Sequence, residues 1–147
     1  MRPEASTVAV ANDNAAHAEP IGDGETVFAY LVRAGRSPAA TTFLTPDSLP
    51  LQLGFIVYPR GGEVARHYHQ PVARALRTTT EVLIVQRGRC ELDIYDAACR
   101  PVATRTLHEG DVVLLCAGGH GLRMTEDTVL LEVKQGPYTG VAEKVRF

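Results

Sequence analysis

Short β-prone runs separated by turn-forming residues constrain the fold of this chain more than any other sequence feature. From residue 25 onward, runs rich in Val, Ile, Leu, Thr and Tyr alternate with Gly, Pro and Asp. No segment carries a long amphipathic repeat with the 3.6-residue period of a helix. The pattern predicts an all-β sandwich or barrel, with strands over residues 26–32, 49–58, 81–86, 90–95, 101–107, 112–115 and 128–134.

The chain divides into a tail and one domain. Residues 1–24 show no apolar periodicity and end in the turn-forming sequence Ile-Gly-Asp-Gly, which predicts a flexible N-terminal tail. The remaining residues, 25–147, have the length of one domain, and a hydrophobic content of 45% is enough for a continuous core. We therefore expect a single barrel domain over residues 25–147.

Charge and cysteine content limit the classes of partner and compartment. A formal net charge of −2 gives no basic surface for nucleic acid or an anionic membrane. No apolar stretch approaches the roughly eighteen residues that cross a bilayer. The three cysteines include no close-spaced pair, and their odd number argues against a disulfide framework. We expect a soluble cytoplasmic protein that binds neither nucleic acid nor membrane.

Glu81 is the only carboxylate on a strand that is otherwise apolar on both faces. Val82 and Ile84 lie on one face, and Leu83 and Val85 lie on the other. A carboxylate in such surroundings needs a partner charge. Two interpretations stay open, a metal ligand and an ion-paired carboxylate at the edge of the core.

A His-x-His pair supplies the first candidate metal ligands. His67 and His69 flank Tyr68, and residues i and i+2 of an extended strand project from the same face. Both imidazoles can then reach one metal ion. The alternative is a pair of surface or hydrogen-bonded histidines.

The spacing of glycines around these residues resembles that of a known family. The order and spacing of these residues resemble the two sequence motifs of the cupin superfamily. The residues that resemble the first motif are Gly61, His67, His69, Glu81 and Gly88, and those that resemble the second are Gly110, Gly118 and His120. The resemblance covers about residues 50–134.

The resemblance implies a double-stranded β-helix, the cupin-type jelly-roll barrel, that binds a divalent metal ion through His67, His69, Glu81 and His120. The gap between His69 and Glu81 is longer than in the family pattern, so we interpret residues 70–80 as an added loop at the barrel mouth. His120 also has an alternative interpretation, as a solvent-exposed turn histidine.

Such a ligand set indicates the chemistry. Three imidazoles and one carboxylate suit Fe, Mn, Ni or Zn, and an octahedral ion would keep two positions open for substrate or water. We predict a metal-dependent enzyme acting on a small polar metabolite, by isomerisation or proton transfer or by dioxygenation. The alternative is a non-catalytic module that binds a ligand or metal.

Two further groups of residues bear on function. The stretch Val-Lys-Gln-Gly-Pro-Tyr at residues 133–138 resembles the close of a subgroup of small cupins. Lys134 and Tyr138 are candidate catalytic residues, although a final strand followed by a Gly-Pro turn explains them equally well. Cys116 precedes His120 by four residues, but no third orienting group is identifiable, so we interpret it as a buried thiol.

We also expect a homodimer. Small cupins commonly pair, and the apolar face that carries Val82 and Ile84 would suit a contact between two sheets.

Overall fold

The computed structural model describes residues 16–137, 139–140 and 143–147. These residues form ten β-strands and no α-helix, so the all-β prediction is confirmed. The strands are β1 (Glu19–Gly22), β2 (Val27–Val32), β3 (Thr42–Phe43), β4 (Gly54–Phe55), β5 (Glu81–Arg87), β6 (Arg89–Tyr95), β7 (Pro101–His108), β8 (Val112–Leu115), β9 (Gly119–Met124) and β10 (Val129–Lys134).

The strands belong to three antiparallel sheets. A five-stranded sheet has the order β1-β2-β8-β5-β10, and a three-stranded sheet has the order β7-β6-β9. Strands β3 and β4 form a separate pair. Strands β5 and β6 are connected through Gly88, whose φ of +86° favours glycine. The chain thus passes directly from the larger sheet to the smaller one.

The main core lies between the two larger sheets. Leu92 and Ile94 on β6 are buried with Leu83 and Val85 on β5, in one apolar cluster. Residues 91, 93 and 95 alternate with these positions and are half-buried, as the alternating pattern of β6 predicts. Burial of this cluster is the main source of stability in a fold without helices.

The outer face of the five-stranded sheet is covered over only part of its width. Leu44, Leu49, Leu51 and Leu53 pack over β2 and β8, where Leu114 is fully buried. The β10 end of this face stays exposed. The large apolar side chains that are exposed on β10 are those of Val129, Leu131 and Val133.

A buried carboxylate connects β2 to the turn between β7 and β8. Asp111 is 2% exposed, and its side chain accepts hydrogen bonds from the amides of Ala34 and His108, each at 2.9 Å. The Arg33 guanidinium donates a third bond at 2.8 Å. Burial opposes ionisation of Asp111, but these three donors outweigh it and hold the pKa below its ordinary value.

The structure differs from the sequence-based expectations in two regions. Residues 19–22, within the predicted tail, form β1 and pair with β2, because Ala18 and Ile21 bury their side chains. Residues 1–15 lie outside the described part of the chain. The predicted strand over residues 49–58 is reduced to β4, since most of that stretch crosses the sheet face rather than pairing.

No helix within the described ranges has the length and apolar character needed to cross a bilayer.

Candidate functional site

Glu81 lies at the first position of β5. It pairs with Leu115 on β8 and with Lys134 on β10, and its side chain is 12% exposed. Its Oε2 atom is 3.0 Å from His120 Nε2. Its Oε1 atom is 3.7 Å from Lys134 Nζ. The expected partner charge is therefore present on Lys134, and the His120 imidazole contacts the other carboxylate oxygen.

His120 comes from the opposite sheet. It lies on β9 directly across from Ile94 and points to the inner face, although the sequence placed it in a turn. Two small residues precede it. A Cβ on Gly118, whose φ is +65°, would lie 2.2 Å from the Tyr95 carbonyl oxygen, and a Cβ on Gly119 would lie 2.9 Å from the Phe147 ring. The glycines thus allow β9 to begin where His120 can reach Glu81.

Lys134 completes this group on β10. Its ammonium is 3.2 Å from Glu132 in addition to its approach to Glu81. The hydrogen bond to Glu132, followed by the charges of Glu132 and Glu81, raises the pKa of Lys134 above its ordinary value. Lys134 is therefore a cation at neutral pH, able to bind an anion or donate a proton but unsuited to act as a base. Tyr138, the other candidate catalytic residue, lies outside the described residues.

These side chains line a cavity of about 990 Å³ that opens to solvent. Its wall includes the His120 imidazole and charged residues of both signs, Arg77, Glu81, Lys134, Glu143, Lys144 and Arg146. This volume and this mixed polarity suit a small polar ligand.

The C-terminal residues form part of the cavity wall, which no sequence pattern indicated. The Phe147 ring packs edge-to-face on Tyr95, with ring centroids 5.1 Å apart. The Glu143 carboxylate accepts hydrogen bonds from the hydroxyls of Thr79, at 2.7 Å, and Thr139, at 2.8 Å. These bonds lower the pKa of Glu143. The C-terminal residues are thus tied to the chain immediately before β5.

His67 and His69 lie elsewhere, on an exposed stretch without strand pairing. Their rings contact each other edge-to-face with centroids 5.2 Å apart, and the Nδ1 atom of His67 is 2.8 Å from the Ala65 carbonyl oxygen. Within the described part of the chain, no group of three His, Cys, Asp or Glu side chains is arranged to hold a metal ion. The structure therefore brings Glu81 and His120 together and leaves the His-x-His pair apart from them.

Cys116 also lines the cavity, but its thiol packs with Tyr30 and Leu114 as a structural group. It is buried, and its Sγ atom is 3.3 Å from the Phe28 carbonyl oxygen. Burial raises the pKa of the thiol, so it stays protonated at neutral pH. This agrees with the interpretation of Cys116 as a buried thiol.

Comparisons of the chain with protein-family models, with curated proteins and with solved structures each gave no match.

Proposed function

We propose that this protein is a metal-dependent enzyme of the cupin type that acts on a small polar metabolite. The observation that carries the proposal is the approach of Glu81 to His120, 3.0 Å apart at the wall of a cavity of about 990 Å³. A carboxylate oxygen and an imidazole nitrogen at this separation are a suitable pair of donors for one divalent ion.

The proposed metal ligands are His67, His69, Glu81 and His120. Two of the four fit a common ion in the single chain, while His67 and His69 fit only if their segment moves to the cavity. The donor set suits Fe, Mn, Ni or Zn. A bound ion of this kind would supply Lewis acidity to a substrate oxygen.

The other residues of the cavity have roles that do not depend on the metal. Lys134 is held as a cation beside Glu81 and can bind or protonate an anionic group of a substrate. Arg77 and Arg146 add positive charge to the same wall. The proposed substrate is therefore a small metabolite that carries an oxyanion.

The proposal extends to the fold and the assembly. Two antiparallel sheets that enclose an apolar core support a jelly-roll barrel of the double-stranded β-helix type. The exposed apolar side chains of Leu131 and Val133 adjoin Val82 and Ile84 on the outer face and support a homodimer. Three free cysteines are consistent with a reducing compartment, so we propose the cytoplasm.

Metal analysis of protein purified without added metal tests the proposal. We expect bound divalent metal in the wild type and a loss of it in Glu81→Ala and His120→Ala. His108→Ala is the matched control, because His108 is exposed and lies outside the cavity. Unchanged metal content in both cavity variants would remove this site from the proposal.

Two further measurements separate the kinds of activity. Oxygen consumption when metabolites are added to the Fe(II) form indicates a dioxygenase, whereas turnover without oxygen in the Mn(II) or Zn(II) form indicates isomerisation or proton transfer. A metabolite that binds and is recovered unchanged under both conditions identifies the non-catalytic binding module instead.

A further inference from the structure

The space between the two larger sheets is open along β9. His120, Leu122 and Met124 lie directly across from the buried residues of β6, so they belong to the inner face of the sandwich. Yet Met124 is 49% exposed. Among the described residues, β9 pairs only with β6, so it is an edge strand of its sheet. The inner face therefore lacks a cover at the position where one more strand would pair with β9.

A long stretch of the same chain is extended and uncovered. Every residue from 58 to 79, named here the exposed segment, is exposed and forms no strand. It carries large apolar side chains, among them those of Val64, Tyr68 and Val72, and Tyr68 is 81% exposed. An extended backbone without strand pairing can offer its amide and carbonyl groups to the edge strand of a sheet.

Both ends of the exposed segment are fixed to the domain. Before it, the Val57 amide donates a hydrogen bond to Thr41 Oγ1 at 2.9 Å. At its end, the Thr80 amide donates a hydrogen bond to Gln135 Oε1 at 2.7 Å. Arg77, Thr78 and Thr79 lie at the cavity wall of their own chain, whereas residues 58–76 project as an arm and are not folded onto their own β9.

Charge favours binding of this arm to the rest of the chain, here called the body, in its own copy or in a second copy. The exposed segment contains four arginines and one glutamate, a formal charge of +3. Since the whole chain carries −2, the rest of the chain carries −5. The arm and the body therefore attract each other, and a second copy of the chain supplies an identical body.

We propose that two copies exchange the exposed segment, so that each arm pairs with β9 of the other copy and closes its inner face. In that arrangement His67 and His69 of one copy meet Glu81 and His120 of the other. Alternation along an extended strand places both imidazoles on the inner face, with Ala65, while Tyr68 lies on the outer face. The inference rests on the proposed function, and it explains why the four ligands do not meet within one chain. Exchange of an identical element is a common route to dimers.

Complementation between two variants tests the exchange. One variant is His67→Ala/His69→Ala and the other is Glu81→Gln/His120→Ala, co-expressed with different affinity tags and purified through both. We expect each variant alone to lose Zn(II) binding, while the mixed dimer recovers about half of the wild-type occupancy, because one of its two sites is intact. Exchange predicts this recovery, and ligands from a single chain predict none.

Limited proteolysis gives a readout that does not depend on metal. Trypsin can cleave the exposed segment after its four arginines, and exchange protects these bonds in the dimer. We expect cleavage within residues 58–79 to accelerate on the order of tenfold when the protein is diluted until gel filtration shows a monomer. Cleavage at the same rate in monomer and dimer would overturn the exchange.

The outcomes separate the two proposals. A wild-type monomer that binds Zn(II) fully, with no recovery in the mixed dimer, overturns the exchange and leaves the metal site intact. A dimer that protects the segment but binds no metal overturns the proposed function and leaves the exchange standing.

Discussion

Asp111 gives the sharpest test of the energetics of this fold, through the substitution Asp111→Asn. The carboxylate is 2% exposed and accepts bonds from two backbone amides and from the Arg33 guanidinium. The side-chain amide of asparagine keeps one acceptor oxygen, but its NH2 group, itself a donor, replaces the oxygen that accepted a hydrogen bond from another of these donors. The substitution also leaves the Arg33 cation without its partner charge.

The expected cost follows from these contacts. Asp111 is buried while the Arg33 side chain is 36% exposed, so we expect the loss of this pair and of one charged hydrogen bond at the buried carboxylate to destabilise the protein by about 3 kcal/mol. For a domain of this size, such a loss lowers Tm by about 10 °C. Urea unfolding at pH 7, followed by far-ultraviolet circular dichroism and not by tryptophan fluorescence, measures the difference in the free energy of unfolding.

The pH dependence supplies a second readout of the same substitution. Because the folded pKa of Asp111 is lowered, its stabilisation is complete above the unfolded value of about 3.9 and is lost as the pH falls through the folded pKa. The gap in stability between wild type and Asp111→Asn should therefore narrow below pH 4.

Asp47→Asn is the matched control, since Asp47 is exposed and, within the described residues, its side chain has no hydrogen bond or ion pair. An Asp111→Asn protein that unfolds within 0.5 kcal/mol or so of the wild type would refute the reasoning, because surface substitutions fall in that range.

Two further predictions concern the cavity wall. At neutral pH, the Cys116 thiol should react with a thiol reagent far more slowly than the Cys99 thiol, because Cys116 is buried and has a raised pKa while Cys99 is exposed. Equal reaction rates would contradict the burial of Cys116. Gly118→Ala should destabilise the fold by more than 1 kcal/mol or so, because its Cβ would meet the Tyr95 carbonyl oxygen, whereas Gly121→Ala, with open space around its Cβ, should change stability little. Thermal unfolding of both glycine variants measures the difference, and similar Tm values would contradict the expected clash.

Most of the strands could be predicted from the sequence, because β-prone runs and the turn residues beside them are local signals. Strands β5, β6, β7, β8 and β10 lie within one or two residues of the predicted runs, each of which adjoins a turn-forming stretch with Gly, Pro or Asp on at least one side. Strand β9 was missed because the glycines around His120 have low β-propensity, and only pairing with β6 makes that stretch extended.

The candidate site was only partly accessible to the same reasoning. The need of Glu81 for a partner charge follows from its apolar neighbours, and the structure supplies His120 and Lys134. The contribution of Phe147 to the cavity wall depends on the path of the chain end, which no local pattern records. The position of His67 depends on which surface its segment meets, a long-range property that residue spacing does not specify.

Glu81 and His120 belong to different sheets, so their 3.0 Å contact depends on the spacing between the two layers of the sandwich. That spacing is set by the side chains packed between the layers, Leu83 and Leu92 among them. A substitution that thickens or thins the core will change the distance between the two donors without touching either one. Selection for a ligand that binds between Glu81 and His120 therefore also acts on the volume of the core. The geometry of the site and the packing of the core cannot vary independently.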